Sequence, residues 1–91
     1  MNKIFNDPIV EKVKELISLG NNLLKEGKED LAIETFKEVI SLKPNYSNAY
    51  NCIGSAYMQK GEIDKAIDFY KGALKIKPDF AEAHNNIGIA Y

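Results

Sequence analysis

Amide side chains carry the most conspicuous chemistry in this sequence. Asn48, Asn51 and Gln59 stand in one stretch, interleaved with Cys52, Ser55 and Met58, and Asn85 and Asn86 stand in another. Each Asn or Gln offers an acceptor oxygen and two donor hydrogens, so a set of them can pair with both halves of a peptide group. That is recognition chemistry, not bond-breaking chemistry. His84 is the only histidine and Cys52 the only cysteine. A single imidazole has no second histidine with which to build a metal site, and a thiol with no basic neighbour in view is not activated. No phosphate loop, no paired metal ligands and no nucleophile with its base can be found in any spacing. The sequence therefore reads as a non-enzyme that requires no metal and no cofactor.

The elements that hold these side chains must fit into 91 residues, enough for one small domain with a limited core. Twelve basic residues against 13 acidic ones leave a formal net charge of -1. Such a balance gives no strong attraction to nucleic acid or to an anionic membrane, and neither is expected as a partner. A lone cysteine rules out an internal disulfide framework and points to a reducing compartment, the cytoplasm. Lys3, Asp7, Glu11, Lys12, Lys14 and Glu15 interrupt the first residues, so no apolar stretch of signal-peptide or membrane-span length begins the chain.

Internal repetition decides the architecture. Pro44 and Pro78 lie 34 residues apart, a period of the length found in helix-hairpin repeats. Gly20 and Gly54, Gly27 and Gly61, Asp30 and Asp64, Ala32 and Ala66, and Lys43 and Lys77 keep that offset. So do Ala49, Asn51, Ile53, Gly54, Ala56 and Tyr57 with Ala83, Asn85, Ile87, Gly88, Ala90 and Tyr91. Glycine without a Cβ can end a helix in a left-handed conformation at Gly27 and Gly61. Proline blocks continuation at Pro44 and Pro78, where Asn45 and Asp79 are the expected caps of the helices that follow; Asp7-Pro8 reads as a similar start. Helices are predicted near residues 8–26, 29–42, 46–60, 63–76 and 80–91. The fold class is all-α, a stack of antiparallel helix hairpins. At about 100° per residue with Tyr50 as zero, Ile53, Gly54 and Tyr57 fall between about -60° and +40°. Asn48, Asn51, Cys52, Ser55, Met58 and Gln59 fall between about 80° and 200°, facing away from the core.

The residues at these positions resemble the tetratricopeptide repeat. Its pattern of a large residue, a Leu-Gly-like pair, a Tyr, and later Ala, an aromatic, a small residue and Pro is met by Tyr50, Ile53, Gly54, Tyr57, Ala66, Tyr70, Ala73 and Pro78. Leu16, Leu19, Gly20, Leu23, Ala32, Phe36, Val39 and Pro44 meet it in the preceding unit, departing at Leu23 and Val39. His84, Ile87, Gly88 and Tyr91 begin a third, where His84 takes the place of a bulky, part-buried packing residue. The resemblance covers residues 13–91. It implies an α-solenoid of right-handed superhelical sense, with repeats at 13–46 and 47–80, the first helix of a third at 81–91, and an N-terminal arm leading into an extended first helix at 1–12. It also implies a fragment of a longer protein.

In that family the first helix of each repeat lines a concave groove that holds an extended or helical peptide. The implied groove residues are Ile17, Asn21, Leu24 and Lys25; Asn48, Asn51, Cys52, Ser55, Met58 and Gln59; and Glu82, Asn85, Asn86 and Ile89. The expected function is a scaffold for protein interaction, with a protein or peptide as partner. One specialisation of the family grips the terminal carboxylate of chaperones with lysines, an arginine and asparagines. Its matching positions here hold Ile17, Asn21, Cys52, Glu82 and Asn86, of which only Asn21 agrees, and Glu82 would repel an acidic tail. Asn86 within Ala83-His84-Asn85-Asn86-Ile87-Gly88 resembles instead the asparagine-lined repeats attached to protein O-glycosyltransferases, though Ser18 and Cys52 break that ladder. The alternatives are therefore a substrate-recognition or regulatory arm of a larger enzyme, such as a protein glycosyltransferase, and a self-assembly module. In the last case a homodimer forms through the C-terminal helix, since repeat arrays normally finish with a polar capping helix. Glu34, Lys37, Glu38, Asp64, Lys65, Asp68, Lys71 and Lys75 alternate sign on the second helices and read as solvated faces with charge pairs.

Overall fold

The computed structural model describes residues 7–91. Five helices follow one another: α1 (Pro8–Lys25), α2 (Glu29–Leu42), α3 (Ser47–Lys60), α4 (Ile63–Ile76) and α5 (Ala81–Ala90). Each boundary falls within a residue of the expected one. Residues 1–6 of the expected N-terminal arm lie outside the described residues.

The two kinds of break work by different means. After α1 and α3 the chain turns through Gly27 at φ 77° and Gly61 at φ 84°, a left-handed conformation that a Cβ disfavours. Backbone amides close both ends in the same way: Lys28 N donates to Leu23 O at 2.8 Å, and Glu62 N to Tyr57 O at 2.9 Å. Asp7 caps α1 as expected, its Oδ1 accepting from Ile9 N at 2.9 Å, with Pro8 in the first turn. Asn45 and Asp79 do not cap. The residues at the cap positions of α3 and α5 are Tyr46 and Phe80, neither of which makes a side-chain capping bond. Backbone bonds close those proline turns instead, Tyr46 N to Lys43 O at 3.1 Å and Phe80 N to Lys77 O at 3.0 Å. This closure carries Asn45 and Asp79 out into the turn, one residue short of the cap.

The hairpins pack through glycine slots. A Cβ built on Gly54 would meet Tyr70 Cε1 at 2.5 Å, and one on Gly20 would run into the Phe36 ring. Only a glycine lets the helices of each pair close onto an aromatic ring there. Ala32, Ile33 and Phe36 of α2 then join Ile53 and Ala56 of α3 in one buried cluster, while Val13, Leu16, Val39 and Ala49 form a second beside it. Ala66, Tyr70, Ala73 and Ala83 extend the buried set toward α5. On the α3–α4 flank Tyr57 stacks on Phe69 at 5.5 Å between centroids.

Packing departs from expectation at both ends of the stack. Leu19 is 49% exposed although its counterpart Ile53 is fully buried. Ile53 has α2 lying over it, and no described element lies over Leu19. His84 is likewise exposed rather than part-buried, its Nε2 2.8 Å from Pro78 O. Its counterpart Tyr50 leans on Phe69 at 6.3 Å and lies near Gly72, both from α4, and His84 has no such helix beside it. The expected charge pairs along α2 and α4 give way to pairs near the helix ends, with Lys60 joined to Asp30 and Glu62, and Lys65 to Glu62.

Candidate functional site

The shape of the stack follows from which helices touch. α1 contacts α3 and α3 contacts α5, whereas α2 and α4 do not meet. The odd-numbered helices therefore lie closer together than the even-numbered ones, and the 51 × 30 × 18 Å molecule curves toward them. The side chains proposed for recognition project from these three helices.

Their accessibility varies. Asn21 and Lys25 of α1, Gln59 of α3, and Glu82, Asn85 and Ile89 of α5 are exposed. Ile17, Leu24, Asn48, Cys52, Ser55, Met58 and Asn86 are half-buried. Asn51 departs from the sequence expectation: it is 3% exposed and is the one buried polar side chain among the described residues. Its Nδ2 donates to Glu82 Oε1 at 3.0 Å and its Oδ1 accepts from Asn86 Nδ2 at 3.0 Å. The angular argument placed Asn51 only about 100° from the core direction. That flank is the one on which the next odd helix, α5, comes to rest. Both ends of the buried amide are satisfied, so it clamps α3 to α5 and is not free to meet a ligand.

Two other side chains in the set also serve the scaffold. Gln59 Nε2 donates to Leu24 O at 2.8 Å and to Glu29 Oε2 at 2.7 Å, bridging the end of α3 to the turn between α1 and α2. Ser55 and Tyr70 hydroxyls lie 3.3 Å apart. Glu29 and Asp30 complete this bridge with Gln59 and Lys60; the sequence reading gave Glu29 no part and used Asp30 only as a repeat marker. The retained spacing of Asp30 and Asp64 was the only available signal for the aspartate.

Cys52 lies beside this network. Its thiol faces Asn48 Oδ1 at 3.9 Å, and burial, followed by the nearby Glu82 carboxylate, pushes its pKa from 9.0 up to about 11. The thiol is therefore protonated and unreactive at neutral pH. Among the described residues no group of three or more His, Cys, Asp or Glu side chains is placed to hold a metal ion. No helix among them is long and apolar enough to cross a membrane.

Comparison with known proteins gives this geometry relatives. Solved structures of MamA superpose on it with TM-scores of 0.80 and 0.78 at 34% identity, covering 87% of this chain. The chain spans less than half of those proteins, 46% and 43% of their length. The first TPR of Spaghetti (RPAP3), solved bound to the HSP90 peptide SRMEEVD, matches with a TM-score of 0.54 over 88% of this chain and 90% of that one. At 20% identity that likeness is one of fold. No curated protein sequence shows a match. The family model of the TPR repeat matches residues 20–61 and again 54–91, which together take in both glycine slots and most of the candidate recognition face, and the chain belongs to the tetratricopeptide repeat family.

Proposed function

We propose that this chain is a protein-interaction scaffold whose α1, α3 and α5 face holds an extended or helical peptide segment. The observation that carries this reading is the pair of exposed amides on the inward-curving side, Asn21 and Asn85, with half-buried Asn86, whose Nδ2 is tied to Asn51, beside them, while the core beneath them is closed. Ile17, Leu24, Met58 and Ile89 put apolar surface between them. A free amide can pair with a peptide N–H and C=O at once, and shallow faces of this size bind in the micromolar range. Binding of a peptide selected from a displayed library, measured by titration calorimetry, tests the assignment. Asn21→Asp and Asn85→Asp place charge on the face without touching the core and weaken binding; unchanged affinity with intact helicity would remove the face from consideration.

A second reading, self-association through α5, is favoured by the C-terminal surface. Ile89 is 66% exposed and Tyr91 81% exposed, and nothing lies within 4 Å of a Cβ built on Gly88. In a two-fold pair Tyr91 of each copy would fill the slot at Gly88 of the other, as Phe36 fills that at Gly20. Light scattering over a concentration series shows a dimer that the Ile87→Ser, Tyr91→Ser double variant abolishes; a strictly monomeric parent at high concentration eliminates this reading.

A further inference from the structure

The clamp that buries Asn51 leaves a carboxylate in an unusual position. Glu82 Oε1 accepts from Asn51 Nδ2 at 3.0 Å, while the side chain as a whole stays exposed. Asn51 is itself pinned from its other end by Asn86, one helical turn beyond Glu82 on the same face of α5. The carboxylate is therefore oriented by a buried group, and its second oxygen has acceptor capacity left over. Among the described residues no lysine or arginine pairs with it. Glu62, by contrast, has both Lys60 and Lys65, and Asp30 has Lys60. On the recognition face the single cation, Lys25, stands on α1, two helices away from Glu82 on α5. Beside Glu82 stand Asn86, one turn further along α5 and tied to the same Asn51, and the Cys52 thiol, whose pKa the Glu82 charge helps to raise.

We infer that the α3–α5 end of this face selects its partner by one cationic side chain, a lysine or arginine that binds the Glu82 carboxylate. The inference rests on the peptide-binding reading and names the chemistry that reading leaves open. A fixed carboxylate with one free oxygen suits an ammonium or guanidinium donor, and a pair formed beside half-buried neighbours is less screened than one in open water. The same charge turns away a segment that is acidic at this point. Orientation matters as much as charge here. A freely rotating glutamate would lose side-chain entropy on binding, and one already held by Asn51 loses less.

The experiment is selection from a random-sequence peptide library displayed on phage, carried out against the purified chain and against its E82Q and E82K variants. The amide of E82Q still offers an oxygen to Asn51, and circular dichroism verifies that each variant keeps its helices. The wild type enriches lysine or arginine at one register position, E82Q loses that enrichment, and E82K replaces it with aspartate or glutamate. Replacing the selected cation by alanine in a synthetic peptide weakens binding about two- to fivefold, the scale of one partly exposed ion pair. Specific binders without a cationic preference, or a preference that survives E82Q, would overturn the inference and leave peptide binding standing. A library that yields no binder to the wild type overturns both.

Discussion

A single methyl group distinguishes the repeated glycines from one another. At Gly54 an added Cβ would sit 2.5 Å from the Tyr70 ring, and at Gly88 it would meet nothing within 4 Å. Gly54→Ala should cost about 1–3 kcal/mol through overpacking. Gly88→Ala should stabilise by about 0.5–1 kcal/mol because alanine favours the helix. Urea unfolding of the two variants reads the difference, and equal effects would contradict the slot geometry. Asn51 yields a second contrast. Asn51→Asp puts an acceptor where Glu82 Oε1 now receives a hydrogen bond at 3.0 Å, and should destabilise by about 2 kcal/mol or more. A variant as stable as the parent at pH 7 would mean that the amide is not clamped. The sequence displays Asn51 and its repeat counterpart Asn85 as equals, and their fates differ. Whether an amide is buried depends on a helix that lies 31 to 35 residues further along, which no local pattern encodes.

At the level of the helix, what could be read from the chain was punctuation. Gly27, Gly61, Pro44 and Pro78 act through backbone geometry that each residue type imposes by itself, so the breaks stood out in advance. Capping at Asn45 and Asp79 was not legible in the same way, because the backbone closes those turns without help from the side chain. The tie between successive hairpins was also hidden, since it joins α3 to residues of α1 and α2. Lys60 reaches Asp30 Oδ1 at 2.6 Å and Glu62 Oε2 at 3.0 Å. Its pKa is raised, chiefly by the hydrogen bond to Asp30 and then by that to Glu62, and the pKa of Glu62 is lowered, chiefly by Lys60 and then by Lys65. Glu62 therefore adds stability above the unfolded carboxylate range and loses it as pH falls through its folded value. Lys60 adds stability below the unfolded lysine range and loses it as pH rises through its own. Glu62→Gln should lower the thermal midpoint modestly at neutral pH and in low salt, with the gap closing in strong acid and in high salt. A gap that is constant across pH would dissociate Glu62 from the tie.

Taken as a whole, the molecule holds its interior unevenly. α3 contributes Ala49, Asn51, Ile53, Gly54 and Ala56 to the buried set, and α5 contributes Ala83 alone. Backbone amides of α5 should exchange with solvent faster than those of α3, because opening the last helix exposes little apolar surface. Exchange measured by NMR or mass spectrometry tests this, and equal protection of both helices would show that the stack unfolds as one unit. The open slot at Gly88 extends the point beyond this chain. A copy of residues 58–91 fused directly after Tyr91 brings a second Tyr70 over Gly88 in unbroken 34-residue register, and leaves an identical vacancy at its own end. The sequence thus contains the rule for its own elongation, like a monomer that regenerates its reactive end at every addition. The number of ends stays constant while interior junctions multiply, so successive fusions should raise the melting temperature in diminishing steps toward the limit of an endless array.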